Sequence, residues 1–370
     1  MPTGVNFSDL VRQFRCEGVF LGASPYGHGH IHDTYAARFR KADGTIARYI
    51  LQRINRHVFP QPEAVMHNIE QVTDHLRRKI TAQGGDPARQ TITLIPTVEG
   101  TTFYRSPQGD CWRAEVLIEG ARTYETAASP AHVYQAAKAF GRFQRLLSDF
   151  PPGQLFETIP DFHHTGQRFQ ALVEAVARDA VNRARQATAE IAFAEKRAGE
   201  VRVLVDRRAA GAIPERVIHN DTKLNNVMID DETGEGICVI DLDTVMPGLA
   251  VYDFGDAVRG GANPAAEDER DLSQVGLDLT LFEHLARGYL EETRDFLTPA
   301  EMDSLAFAAK LISFEQGLRF LTDYLNGDVY YRTHRPDHNL DRCRTQFKLV
   351  SDIEAKFDQM ARLIQAHRAG

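Results

Sequence analysis

Two acidic and amide-rich clusters stand close together in the middle of the chain. The first, His219-Asn220-Asp221-Thr222-Lys223-Leu224-Asn225-Asn226, leaves the apolar pair Val217-Ile218 and places a carboxylate and a carboxamide five positions apart. Moving a phosphoryl group onto a hydroxyl needs a carboxylate near the attacking oxygen and hard oxygen ligands for Mg²⁺. Asp221 can accept the hydroxyl proton and Asn226 can offer its side-chain carbonyl to the cation. His219 can hydrogen-bond backbone groups and hold the loop in shape. The second cluster, Asp241-Leu242-Asp243, follows the apolar run Ile237–Ile240. That run and Val227–Ile229 flank Asp231-Glu232-Thr233-Gly234-Glu235, which reads as a hairpin turn. A hairpin returns Asp241, 15 positions past Asn226, to its side, where the two can share one cation. Asp243 faces the same way in an extended segment and is a second-choice ligand or an outer partner.

The elements that must position these groups fall into two parts. Before residue 120 the chain reads as a mostly antiparallel sheet with one main helix. A short helix capped by Asn6 opens it, and strands are expected at Val19–Ala23, Tyr35–Phe39 and Ile46–Arg53, with Asp43-Gly44 as a tight turn. A helix starts near Pro62 with Val65, Ile69, Val72 and Leu76 in helical rhythm. Thr91–Val98 and Cys111–Glu119 complete the expected sheet. After Gly120 the pattern turns helical: Ala131–Leu147, a nearly continuous Phe169–Val205, Pro299–Leu325 behind the cap Thr298, and Asp337–His367. The expected domains are 1–120, a nucleotide-binding lobe, and 121–370, a helical lobe carrying the hairpin, the metal site and the acceptor site.

Bulk properties narrow the function. The chain has 370 residues, 43% hydrophobic and 25% charged, with net charge −8. That balance argues against nucleic-acid binding, which needs clustered Lys and Arg. Cys16, Cys111, Cys238 and Cys343 form no CxxC pair, so neither a zinc site nor a disulfide framework is indicated. No apolar stretch approaches the roughly 18 residues that span a bilayer. A reduced, cytoplasmic protein without a membrane partner is expected.

The loop from His219 to Asn226 resembles the HxDxxxxN catalytic loop of aminoglycoside phosphotransferases and their small-molecule kinase relatives. Within that superfamily, IDLDTVMPGLAVYDFGDAVRGGANPAAEDE, ILQRIN and LRFLTDYLNGDVYYRTH resemble the N-acetylhexosamine 1-kinases. The resemblance implies an α+β, two-lobed protein-kinase-like fold with a small antiparallel-sheet lobe and a large helical lobe holding a catalytic β-hairpin. It also implies ATP and Mg²⁺ as cofactors, and phosphorylation of the anomeric hydroxyl of an N-acetylated hexosamine. Asp253-Phe254-Gly255 spells the metal-binding triplet of protein kinases. Asp253 lies 27 positions past Asn226, too far for a simple hairpin return, and in the pattern of this superfamily it stands as the brace of the catalytic loop.

The nucleotide and acceptor sides are less sharply written. SPYGHGH offers Gly27 and Gly29 as a GxG phosphate loop between two strands. His28, His30 and His32 alternate there and read as a polar loop before they read as a metal site. The protein-kinase pattern calls for a third-strand Lys on the phosphates. Ile46–Arg53 has none, so Arg53 or Gln52 is the expected substitute, with Glu63 or Glu70 to pair with the Arg. Ile118, where the last strand leaves the small lobe, is placed at the adenine edge. For the sugar, Arg319 and Asp323 sit at i, i+4 with Glu315 a turn earlier, and Arg259, Tyr330 and Tyr331 are further candidates. The missing Lys keeps a non-catalytic, pseudokinase-like reading alive, and another sugar, an aminoglycoside or a choline-like alcohol is the alternative acceptor.

Overall fold

The computed structural model describes residues 5–27, 31–126 and 129–368. Helix α1 (Phe7–Val11) is capped by the Asn6 side chain, which accepts the Ser8 and Asp9 N–H groups. Strands β1 (Val19–Pro25), β2 (Asp33–Arg40) and β3 (Ile46–Ile54) follow. Gly44 makes the β2–β3 turn at φ +83°, a left-handed position that costs glycine nothing. Helices α2 (Pro62–Ala82) and α3 (Pro87–Gln90) precede β4 (Tyr104–Arg105) and β5 (Cys111–Val116). The sheet is antiparallel, in order β1-β2-β3-β5-β4.

Alternation along these strands makes two faces. Tyr35, Ala37, Tyr49, Leu51, Trp112 and Ala114 pack on one side against Leu10, Val11 and Phe14 of the amino-terminal segment. The opposite parity sets Thr34, Gln52 and Arg113 in one cross-strand row on the other face. Helix α2 buries the expected Val65, Ile69, Val72 and Leu76, in a core shared with Ile54, Phe140 and Phe143.

The larger part begins with β6 (Ala121–Arg122), α4 (Pro130–Leu146), α5 (Thr165–Arg178), α6 (Thr188–Glu195) and α7 (Val203–Ala209). Then come β7 (Arg216–Ile218), β8 (Val227–Asp230), β9 (Gly236–Val239), β10 (Met246–Gly248) and α8 (Ala250–Gly261). Helices α9 (Leu279–Thr293), α10 (Pro299–Met302), α11 (Leu305–Leu325) and α12 (His338–Arg368) close the chain. Residues of α8, α9, α11 and α12 form one core around Phe254, Phe282, Tyr289 and Leu349. The result is the expected α+β architecture, with a small antiparallel sheet and a large helical part. Among the described residues no helix is long and apolar enough to cross a membrane.

Three elements differ from the sequence expectation. Thr91–Val98 makes only single bridges, Leu94 to Glu115 and Phe14 to Thr97, and the edge strand lies instead at β4. The Phe169–Val205 helix is interrupted: Asp179 turns left-handed at φ 39°, and its carboxylate accepts the Arg183 and Ala184 N–H groups. Local side-chain hydrogen bonding there outweighs helix propensity. The Pro299 helix, opened by a Thr298/Glu301 capping box, stops after one turn, and α11 restarts at Leu305.

Candidate active site

The loop from His219 to Asn226 leaves β7, which pairs with β10 through Ile218 and Met246. Asn220 adopts a left-handed conformation at φ 67° and turns the chain. Helix α8 stabilises that turn. The Asp253 carboxylate, 1% exposed, accepts the His219 N–H at 2.9 Å, the Asn220 N–H at 2.8 Å and the Gln144 side-chain amide at 2.8 Å. One turn later Asp256 accepts the Thr222 N–H at 2.8 Å and Arg259 Nε at 2.8 Å. His219 spans the loop: its Nδ1 accepts the Asp221 N–H at 3.2 Å, so its Nε2 is left to donate to the Ile240 carbonyl at 2.9 Å. Asp253 therefore sits behind the loop, engaged with its backbone, and the Asp-Phe-Gly triplet lies within a helix.

The hairpin brings the second cluster home. Val227 pairs with Val239, and the Ile240 N–H donates to the Asn226 carbonyl at 2.9 Å. Asp241, next in line, is left-handed at φ 60° and opens to the cleft, with Leu242 and Asp243 buried behind it. Asn226 spends both amide hydrogens on Asp221, at 2.9 Å to its carbonyl and 3.1 Å to Oδ2. Its own Oδ1 accepts no hydrogen bond among the described residues, and neither does the Asp241 carboxylate. The Asp241 carboxyl is held up at about 6, first by the depth of protein around it and then by the charges of Asp243 and Asp221. Two unspent oxygens of this kind fit a hard divalent cation that completes its shell with water and phosphate. Among the described residues no three His, Cys, Asp or Glu side chains converge on a cation.

Asp221 faces the same space and is 24% exposed. Lys223, which sequence reasoning passed over, reaches back to it at 2.9 Å from Oδ1 and 3.0 Å from Oδ2. Asp221 in turn holds the Lys223 amine above its ordinary value. Lys223 lies in plain view inside the loop motif, and its closeness in sequence to Asp221 is the signal that points to it.

Asp243 is not an open ligand. Both its oxygens are taken by Arg113 of β5, Nη1 to Oδ1 and Nη2 to Oδ2 at 2.6 Å each. His32 Nε2 lies 3.5 Å from Oδ2. Burial opposes its ionisation, but Arg113 foremost outweighs that and keeps the carboxyl well below the usual range. Arg53, the expected phosphate anchor, is a correction of register: it pairs across with Trp112, on the α1 side of the sheet, and binds Asp33 and Asp110. Gln52 has the right parity and is hydrogen-bonded to Thr34 at 3.0 Å. Glu63, expected to pair with that arginine, engages Arg105. Gly27 forms a turn at φ +76° at the head of its loop, while Gly29, His28 and His30 lie outside the described residues. Ile118 is half-buried just past β5, where the Leu117 N–H donates to Arg48.

The acceptor candidates divide. Arg319 lies with its guanidinium 5.2 Å from the Phe162 ring and 5.7 Å from that of Tyr331, and has no carboxylate within ion-pair distance among the described residues. His163, next to Phe162, bridges Glu315 at 2.8 Å and the Asn220 carbonyl at 3.3 Å, so this aromatic cluster borders the catalytic loop. Asp323 is spent: it accepts the N–H groups of Val329, Tyr330 and Tyr331 and the Asn339 amide, and so shapes the loop that carries the tyrosines. Arg259 is buried between Asp256 and Glu267 and supports the catalytic loop from behind.

A family model described as the phosphotransferase enzyme family matches residues 22–295. Among solved structures, an aminoglycoside phosphotransferase from Alicyclobacillus acidocaldarius superposes with TM-score 0.62 at 12% identity, over 99% of this chain and 98% of that one. A microcompartment-associated aminopropanol kinase gives 0.57 at 15%, over 97% and 99%. An ethanolamine kinase from Plasmodium vivax gives 0.54 at 13%, over 92% and 84%. At these identities the likeness speaks for the fold.

Proposed function

We propose that this chain, which belongs to the phosphotransferase enzyme family, is an ATP- and Mg²⁺-dependent N-acetylhexosamine 1-kinase. The observation that carries the catalytic part is the convergence of Asp221 with two unspent oxygens, Asn226 Oδ1 and the Asp241 carboxylate, on one side of the hairpin. Mg²⁺ held by Asn226 and Asp241 would neutralise phosphate charge and align the donor. Asp221 orients the sugar's anomeric hydroxyl and takes its proton as the oxygen attacks the γ-phosphorus. The bond from that phosphorus to the β–γ bridging oxygen breaks, and ADP leaves with the electron pair. Lys223, beside Asp221, supplies a positive charge near the transferred group.

The acceptor class rests on the likeness of the IDLDTVMPGLAVYDFGD and LRFLTDYLNGDVYY stretches to N-acetylhexosamine 1-kinases. It gains support from Arg319 held between aromatic rings beside the loop, a setting suited to a sugar ring with an acyl oxygen. The test is a coupled ADP-release screen over N-acetylglucosamine, N-acetylgalactosamine, glucose, galactose and aminoglycosides, with the product examined by phosphorus NMR. The N-acetylhexosamines should turn over fastest and give a 1-phosphate. Equal turnover of a methyl glycoside, whose anomeric oxygen is blocked, would exclude the anomeric assignment.

A further inference from the structure

The third strand lacks the lysine that, in protein kinases, pairs with a helix glutamate to align the phosphates. Gln52 is turned to Thr34, and Glu63 of α2 is drawn to Arg105. One strand over, on the same face and in register with Gln52, stands Arg113. Its side chain and that of Asp243 are each 3% exposed. Their bidentate contact joins residues 130 positions apart and ties the sheet to the turn that follows the hairpin. Glu115 Oε1 lies 3.0 Å from Arg113 Nε. On the far side of Asp243, His32 accepts the Asn55 N–H through Nδ1, which aims Nε2 at the carboxylate.

The turn from Asp241 to Val245 is held elsewhere as well. Asn220 donates to the Thr244 carbonyl at 2.9 Å, Thr244 Oγ1 donates to the His219 carbonyl at 2.7 Å, and Asn68 of α2 donates to the Val245 carbonyl at 2.9 Å. These contacts fix the end of the turn. Among the described residues, Arg113 and His32 alone grip the side chain two residues from Asp241.

We propose that Arg113 is a positioning residue for phosphoryl transfer: by its two-point hold on Asp243 it sets the turn that presents Asp241 opposite Asn226. A buried ion pair between the sheet and the hairpin turn thus does the aligning work for which the chain has no strand lysine. The same hold keeps Asp243 out of the cation's shell, which leaves one protein carboxylate there. This inference rests on the kinase reading of the cleft, though not on the identity of the acceptor.

Four variants of the full-length protein test it: Arg113→Lys, Arg113→Met, Asp243→Asn and the double Arg113→Met/Asp243→Asn. Apo thermal unfolding, Mn²⁺ affinity by electron paramagnetic resonance, and kcat with the best acceptor are read for each. Arg113→Met should lose much apo stability, because it strands a buried carboxylate. The double variant removes both charges and should recover most of it. Outer-shell groups that orient ligands are worth about 10–100-fold in affinity or turnover. Mn²⁺ affinity and kcat should therefore stay about tenfold or more down in Arg113→Lys and in the double variant, with acceptor KM little changed. Wild-type Mn²⁺ affinity and kcat in the double variant would reduce the pair to a structural brace and overturn the proposal. Failure of the wild type to phosphorylate any N-acetylhexosamine would overturn the acceptor reading alone, since Mn²⁺ affinity still decides this one.

Discussion

Asp253→Asn separates a brace from a metal ligand. The carboxylate takes three hydrogen bonds with two oxygens, from the His219 and Asn220 backbone and from Gln144. An asparagine has one acceptor oxygen. Whichever way it is turned, its NH₂ group faces a backbone N–H donor in a site that is 1% exposed. One charge-assisted bond is lost outright, and the others fall to neutral strength, for about 3 kcal/mol. Against this, burial raises the Asp253 carboxyl, so removing the charge returns part of the loss, and the net is about 2 kcal/mol. For 370 residues at about 2.1 cal/mol/K each, that lowers Tm by about 2–3 °C. The larger effect is on turnover. The two N–H groups belong to the residues just before Asp221, and a displacement of about 1 Å at a reacting group costs about 10²-fold. Circular dichroism melting, Mn²⁺ titration and steady-state ADP release measure the three quantities. Mn²⁺ affinity should change by less than about threefold, since Asp253 has no open oxygen toward the cleft. A variant with unchanged Tm and abolished Mn²⁺ binding would place Asp253 in the metal shell and refute the brace.

Further outcomes follow from the same geometry. Asp221→Asn should melt close to the wild type and lose about 10²-fold or more in kcat, because the proton acceptor goes while the loop hydrogen bonds to Asp253 and Asp256 stay; near-normal turnover would remove it as base. Asp241 carries a carboxyl raised to about 6 against about 3.9 unfolded, so its charged form weighs on the cation-free fold as pH rises between those values. Asp241→Asn should accordingly raise the cation-free Tm at pH 7.5, leave it unchanged near pH 4, and abolish stabilisation by Mg²⁺ with a non-hydrolysable ATP analogue; a variant still stabilised by Mg²⁺ would move the ligand role elsewhere. Arg319→Ala should raise the acceptor KM about tenfold with the ATP KM unchanged, the loss of a charge-assisted bond partly made up by water; a matching rise in both constants would point to a general disturbance of the helical part.

What could be read from the sequence was local. The hairpin return of Asp241 to Asn226 depends on two short β-runs and a turn, all within 15 positions, and strand alternation with turn chemistry settles it. The Arg113–Asp243 pair spans 130 positions and joins β5 to a turn, so no period or motif signals it. Arg53 shows a subtler limit. Alternation says that Gln52 and Arg53 face opposite ways, but only the packing of α1 on Tyr35, Leu51 and Trp112 decides which face is the cleft. Arg259 and Asp323 have the residue types of a sugar site. Their oxygens and nitrogens are consumed by Asp256, by Glu267 and by the backbone of the tyrosine loop, partners that the sequence lists without locating.

The carboxylates around the loop can be ranked by how many of their acceptor sites are used. Asp253 and Asp256 are filled by backbone N–H groups, an amide and an arginine, and Asp243 by both arms of Arg113. All three are buried, where a carboxylate survives ionised only with such partners. Asp221 is filled in part, by Lys223 and one amide hydrogen of Asn226, and is open to the cleft. Asp241 is exposed and, among the described residues, its carboxylate accepts no hydrogen bond. This gradient runs from the α8 side of the loop toward the cleft, and it has a consequence for charge. Without a cation, burial first, and then the charges of Asp243 and Asp221, raise the Asp241 carboxyl, so the ionised form of Asp241 is the one the site disfavours. A divalent cation held by Asn226 and Asp241 would offset those charges and favour the ionised Asp241 carboxylate.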